Sequence, residues 1–301
     1  MCSGNSLNGW LCLDKPEGIS SNLAMIKVRK ILAERTGYVG TLDPFATGVL
    51  PIAVGEARKF IRFIEKSQKK YVFTMVFGES TNTFDKTGKV TGIVDNIPRI
   101  LDISSVFHEF IGEIHQIPPE FSAIKVNGRR ACDRARSGEK VELSSRKVSI
   151  FDIQILGEDL QKNELCLEVT CSCGTYIRSL ARDIAERLGS LAYVKTLRRT
   201  MSGFFSIDST ITIEKLLKMR DTTGVIVVPV ESPLDDIPAL YTGRRNITGL
   251  RNGVGFRLKN PEIVSSNVRI VDDANGVFCG IGYISNDGEV EAIKMCVNCQ
   301  M

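Results

Sequence analysis

Two periods of apolar spacing alternate along the chain. Residues 9–16, GWLCLDKP, are short, largely apolar and closed by Pro16, the pattern of a strand. Ser20 or Ser21 then offers a helix N-cap. The run LAMIKVRKILAER puts Ala24, Val28, Ile31 and Leu32 on one helical face, and Arg35 and Gly37 mark its expected end. A short helix is expected over 55–65, and YVFTMVFG (71–78), β-branched and aromatic, reads as a strand. Residues 100–114 have the spacing of an amphipathic helix, and CLEVTCSC (166–173) alternates as a strand does. The clearest helix is TYIRSLARDIAERLG (175–189). Ile177, Leu180, Ala181, Ile184 and Leu188 form its apolar stripe, and Gly189 closes it.

Beyond about residue 230 the pattern changes. ESPLDDIPAL (231–240), with two prolines and three acids, reads as a linker. After it come short β-like pieces punctuated by Gly and Asn: GVGFRL, NVRIVDD, GVFCGIGYIS and EVEAIKM. The chain therefore divides into a mixed α+β domain over 1–232 and a small all-β domain over 233–301. The strands of the first lack a regular βαβ rhythm.

Composition narrows the function. The 301 residues are 43% hydrophobic, enough for a substantial core. Net charge is only +4, but it is concentrated. Residues 58–70 hold six Lys/Arg against one acid, and residues 125–147 hold eight against three. Each patch is a plausible phosphate-tracking surface or, equally, a solvated face. The N-terminus has no basic and apolar leader pattern, and VIVVPV (225–230) is too short to span a bilayer, so a soluble, cytoplasmic protein without a membrane partner is expected. Nothing suggests an oligomer, so a monomer is expected.

No P-loop, GxGxxG or GxSxG motif is present, and the two histidines, His108 and His115, lie outside acidic or cysteine-rich contexts. The cysteine count is odd, nine, which argues against a disulfide framework. Cys296 and Cys299 have the spacing of half a zinc knuckle. Cys171 and Cys173 are poorly spaced to supply the rest, so no metal is expected.

The loop GYVGTLDPFATGVLP (37–51) carries one acid, Asp43, before Pro44 and between the turn-permitting Gly40 and Gly48. Such a stiff loop either presents a carboxylate for chemistry or ties it up in an Asx-type turn. Arg178 sits in the first turn of the 175–189 helix, where a cation opposes the helix dipole. It is either a solvated surface residue or the partner of an anion such as Asp43. Tyr71, after Lys69 and Lys70, either stacks on a base or packs in the core.

Several blocks resemble the TruB family of tRNA pseudouridine synthases: LDKPEGISS (13–21), GYVGTLDPFATGVLPIAVGEARKF (37–60), QIPPEFSAIKVNGRR (116–130), CSCGTYIRSLARDIAERLG (171–189) and KTLRRT (195–200). They occur in the family's order over most of residues 9–205. The resemblance implies a pseudouridine synthase fold, with a mixed, largely antiparallel central sheet and flanking helices. It also implies a C-terminal RNA-binding domain of the PUA type. The implied reaction isomerises the uridine at position 55 in the T loop of tRNA without any cofactor. By the same matching Asp43 is the catalytic aspartate. Tyr71 is the tyrosine that stacks on the target base and acts as a base late in the reaction. Arg178 pairs with the carboxylate, Tyr176 belongs to the same block, and Leu197 lines the base pocket. Lys15 and Pro16 support the active-site loop. The 117–147 insertion, with Lys125, Arg129 and Arg130, closes over the T arm. Tyr38 stands where many members have histidine.

Two other readings remain beside this one. The chain could serve as a tRNA-binding and folding factor that opens the T arm, a role the family combines with catalysis. It could also act on ribosomal RNA or another uridine.

Overall fold

The computed structural model describes residues 7–122, 124–126, 128–139, 142–222, 225, 227–259 and 261–296. The side chains at 125, 130, 135, 136 and 220–222 fall outside that description.

Nine strands form the main sheet: β1 (Gly9–Lys15), β2 (Thr36–Tyr38), β3 (Thr47–Val54), β4 (Lys69–Phe77), β7 (Gly112–Gln116), β10 (Arg146–Asp159), β11 (Glu164–Cys171), β12 (Ala192–Ser202) and β13 (Phe205–Ser206). The main path runs β1-β3-β12-β4-β11-β10-β7, with β2 beside β3 and β13 beside β12. The β3–β12 pair is parallel and the other pairs are antiparallel. Two hairpins stand apart, β5 (Glu79–Thr81) with β6 (Val90–Ile93) and β8 (Lys125–Val126) with β9 (Arg129–Arg130). The helices are α1 (Ser21–Leu32), α2 (Ile61–Ile64), α3 (Ile100–Phe110), α4 (Ala131–Arg136), α5 (Ile177–Arg187), α6 (Ile213–Thr222) and α7 (Arg244–Arg251). The fold is mixed α+β with a largely antiparallel central sheet, as the resemblance implies.

Strand alternation divides the interior in two. Leu11 and Leu13 of β1, Leu50 and Ile52 of β3, and Tyr71, Phe73 and Met75 of β4 face one side, where α1, α3, α5 and α6 cover them. Trp10, Cys12, Val49 and Ala53 face the other side, against Phe60 and Ile64. β1 and β3 are thus buried on both faces, which is why they read as nearly continuous apolar runs.

The C-terminal sheet follows the order β14 (Ala239–Thr242), β16 (Ser266–Asp272), β17 (Phe278–Ile284), β18 (Glu289–Met295), β15 (Phe256–Arg257). Among the described residues it carries one helix, α7, besides its strands. Segment 231–240 is not a free linker. Leu234 is buried with Trp10 and Phe60, and Trp10 Nε1 donates to the Val230 carbonyl at 3.0 Å. The second core also takes in Phe278 and Ile281 of the C-terminal sheet, and the Phe60 and Phe278 rings meet edge to face with centroids 5.3 Å apart.

Three local boundaries differ from the sequence expectation. Helix α1 stops at Leu32 because Ala33 takes the left-handed conformation (φ 55°), ahead of Arg35 and Gly37. Helix α3 ends at Phe110. Gly112, at φ 104°, breaks it and starts β7, so residues 112–114 are strand and His115 lies within that strand. The 55–65 helix begins as a 3-10 turn over Gly55–Phe60.

Candidate active site

The 37–51 loop is held on both sides of Asp43. The buried Ser21 hydroxyl accepts from the Leu42 amide at 2.8 Å and donates to the Leu42 carbonyl at 2.9 Å. On the other side, the Pro44 carbonyl accepts from the Gly18 amide at 2.8 Å and from Lys15 Nζ at 3.2 Å. Lys15 is fully buried and also donates to the carbonyls of Pro16 and Ile19, each at 2.8 Å. Burial lowers its pKa to about 8. Lys15 thus braces the loop from behind, and the Pro16 carbonyl is one of the acceptors that fix its ammonium. Gly48 is needed for packing: its φ is +99°, and a Cβ there would lie 2.2 Å from the Arg199 carbonyl.

With its backbone pinned, Asp43 turns its carboxylate toward Arg178. Arg178 Nε lies 2.9 Å from Asp43 Oδ2, though the N–H is not aligned for a directed hydrogen bond, so the contact is chiefly one of charge. Among the described residues no backbone amide donates to this carboxylate, which distinguishes it from an Asx turn. The Asp43 side chain remains 31% exposed to the cleft. Desolvation raises its pKa above the ordinary value, Arg178 pulls it back, and the nearby charge of Asp85 pushes it up again.

Arg178 is 3% exposed, at the start of α5. Its Nη1 donates to the Thr83 carbonyl at 2.9 Å and its Nη2 to the Phe121 carbonyl at 3.0 Å. Asp85 Oδ2 lies 3.4 Å from Nη1. Asp85 is itself fixed, since its Oδ1 accepts from the Thr83 hydroxyl and the Thr87 amide, both at 2.9 Å, and from the Thr87 hydroxyl. Two carboxylates therefore offset a buried cation that the helix dipole disfavours. The α5 start is tied down further by Gln116, whose side chain accepts from the Tyr176 amide at 2.8 Å and donates to the Tyr176 carbonyl at 3.0 Å.

Asp43, Tyr71, Tyr176, Arg178 and Leu197 line one cleft of about 560 Å³. Tyr71 comes from β4, opposite Arg199 of β12. Burial pushes the Tyr71 phenol up from its usual value and Arg199 opposes this. Arg199, 1% exposed, donates to the carbonyls of Val49 at 2.7 Å and Gly40 at 2.9 Å, so it holds the start of the Asp43 loop against Tyr71's strand. Lys66, Lys69 and Arg146 add positive charge to the cleft wall.

The structure does not bring every expected residue there. Arg129 pairs within the insertion, its Nη1 3.0 Å from Glu139 Oε1. The side chains of Lys125 and Arg130 lie outside the described residues, as does Cys299. Cys296 is buried where the C-terminal sheet meets the main domain. Tyr38 pairs with Ile52 and packs on the helix-covered core. Sequence reasoning missed Asp85, Ser21 and Arg199. A charged residue inside the apolar alternation of β12 was a usable signal for Arg199. Asp85 had none.

Comparison with known proteins adds the family context. The profile of the TruB family pseudouridylate synthase N-terminal domain matches residues 29–177. That of the tRNA pseudouridylate synthase B C-terminal domain matches residues 178–235. The chain is 45% identical over 240 residues to the tRNA pseudouridine synthase B of Caulobacter vibrioides, covering 79% of this chain and 77% of that protein. It is 38% identical over 295 residues to the protein of the same name from Ehrlichia canis, covering 96% and 94%. A chain from the crystal structure of a Cbf5-Nop10-Gar1 complex superposes with a TM-score of 0.72 at 24% identity, covering 95% of this chain and 84% of that one.

Proposed function

Since the chain belongs to the TruB family of pseudouridine synthases, we propose that it isomerises uridine to pseudouridine in tRNA, at position 55 of the T loop. The observation that carries this reading is the Asp43 carboxylate, held by Arg178 at 2.9 Å in a cleft whose other walls include Tyr71, Tyr176 and Leu197. A cleft of about 560 Å³ has room for one extruded nucleoside. The uridine must leave the stack for its glycosidic bond to be reached, at a cost of a few kcal/mol. Stacking on Tyr71 and phosphate contacts with the basic cleft wall offset that cost.

In the reaction the C1′–N1 bond breaks, the base turns, a C1′–C5 bond forms, C5 loses its proton and N1 gains one. Asp43 is the catalytic group, through attack on the sugar or removal of a sugar proton. Arg178 keeps the carboxylate charged and aimed. Tyr71 is held neutral by burial, which suits a stacking face; acting as a base at C5 requires passing its own proton onward. Tyr176 and Leu197 bound the base. Lys15 and Pro16 act through the loop. Lys125, Arg129 and Arg130 belong to the 117–147 insertion that closes on the T arm, with Arg129 first giving up Glu139. Residues 233–301 serve as a PUA-type RNA-binding domain beside the catalytic domain of 1–232, and the monomeric, cytoplasmic protein also assists tRNA folding by opening the T arm.

The position is tested by incubating unmodified tRNA with the protein and mapping pseudouridine along the product. Modification confined to position 55 is expected. Modification elsewhere, or only in ribosomal RNA, overturns the assignment of the substrate.

A further inference from the structure

Ser122 stands in the insertion, 4% exposed, and lines the same cleft as Asp43, Tyr71 and Tyr176. Its backbone is fixed. Its amide donates to the Glu120 carbonyl at 3.0 Å, and its carbonyl accepts from the Cys132 amide at 3.0 Å. The carbonyl of its neighbour Phe121 is gripped by Arg178. Its hydroxyl is different, because among the described residues no hydrogen bond reaches Oγ. The Tyr176 phenol is close enough for Ser122 to ease its ionisation against the effect of burial, yet no directed bond closes between them. By contrast, the hydroxyl of Thr175, also on the cleft wall, donates to the Ser172 carbonyl at 3.0 Å. Buried hydroxyls are ordinarily satisfied, so an unpaired one on a residue of the cleft wall calls for a partner, and a turn of the Ser122 side chain about its Cα–Cβ bond offers the substrate as that partner.

We infer that Ser122 Oγ donates a hydrogen bond to a uracil carbonyl of the extruded nucleotide. The inference rests on the synthase reading and adds a residue to it. The reaction explains why a single hydroxyl suffices. Exchanging N1 for C5 at C1′ is a half-turn of the ring about its N3–C6 axis, and this turn also exchanges O4 and O2. A hydroxyl bonded to O4 before the turn meets O2 after it. Ser122 thus holds the detached base in either orientation. It keeps the free base from drifting between cleavage and reattachment.

The test is single-turnover isomerisation of a tRNA transcript by the wild type and by Ser122→Ala, Ser122→Val and Ser122→Thr, with tRNA affinity measured on the same proteins. Valine copies the shape of threonine without its hydroxyl. Ser122→Ala and Ser122→Val are expected to react about tenfold more slowly with affinity nearly unchanged, as loss of one hydrogen bond to the reacting group predicts, while Ser122→Thr recovers most of the rate. An unchanged rate in Ser122→Ala overturns the inference. So does a threonine variant as slow as the valine one, or a loss that lies wholly in affinity, which makes Ser122 a packing residue of the insertion. A wild type that does not isomerise tRNA at all defeats the functional reading instead. In a complex with a T-arm stem-loop, Ser122 Oγ is expected within hydrogen-bond distance of a uracil carbonyl; placement on the ribose, on a phosphate or on Tyr176 alone also overturns it.

Discussion

Asp85 Oδ2 lies 3.4 Å from Arg178 Nη1, while a different nitrogen of the same guanidinium, Nε, lies 2.9 Å from Asp43 Oδ2. One buried arginine therefore serves two carboxylates of unlike character. Asp85 is 4% exposed and bound by its own threonines, whereas Asp43 faces the cleft. Asp85 positions, and Asp43 is left available to react.

This division predicts a pH effect. The folded-state pKa of Asp43 is raised above its ordinary 3.8, first by desolvation and partly by Asp85. A raised carboxylate favours folding below its unfolded pKa, and that contribution is lost as pH rises through the folded value. Activity runs the other way, because it needs the carboxylate. The acid limb of the rate profile is expected above the usual aspartate range. In Asp85→Asn, with one like charge removed, the limb moves to lower pH even as the maximal rate drops. Single-turnover rates between pH 4 and 8 read both effects; a limb that moves up in Asp85→Asn contradicts the electrostatic account.

Arg178→Lys keeps the charge but loses the fork that reaches Asp43, Thr83 and Phe121 together. Its rate is expected to fall about a hundredfold. Leaving a buried polar cluster incompletely paired costs about 3 kcal/mol of stability, measured by urea unfolding. Equal stability with lost activity means that the arginine serves the chemistry alone.

Ser21→Ala removes a buried hydroxyl that binds both the amide and the carbonyl of Leu42. The expected loss is about 2 kcal/mol in stability. Turnover should slow with tRNA affinity kept, because Leu42 is the residue immediately before Asp43. A variant of full activity shows that Lys15, the Gly18 amide and Arg199 steady the loop without Ser21.

Gly48→Ala places a Cβ 2.2 Å from a backbone oxygen at a φ of +99°. Destabilisation of about 3 kcal/mol or more is expected, visible as a lowered Tm or as failure to accumulate folded protein.

Much of this arrangement was legible in the sequence. The stripe of α5 put Arg178 in a first helical turn, where it had to be either solvated or paired with an anion. Gly40, Pro44 and Gly48 marked the loop as stiff. The β-branched and aromatic run 71–78 marked Tyr71 as the start of a strand, but left open whether it stacks on a base or packs in the core. What escaped were links made only by tertiary contact. Asp85 lies in the β5–β6 hairpin, where nothing local distinguishes it from a surface acid, and its value comes from meeting Arg178 across the fold. Ser21 looked like one of two possible N-caps. The structure gives that role to Ser20, whose side chain accepts from the Leu23 amide at 3.1 Å, and Ser21 turns inward to Leu42. The composition of 231–240 suggested solvent exposure, but Leu234 finds the apolar surface of Trp10 and Phe60. The 100–114 periodicity ran too far because a short edge strand after Gly112 has too few residues to impose its own period.

The central claim is that Asp43 performs chemistry in a cleft that binds tRNA without it. It is tested most directly with an unmodified tRNA transcript carrying tritium at uridine C5, comparing wild type with Asp43→Asn and measuring tRNA binding alongside. Tritium release by the wild type alone, with both proteins binding, is the predicted result. Release by both proteins, or by neither although both bind, contradicts the account.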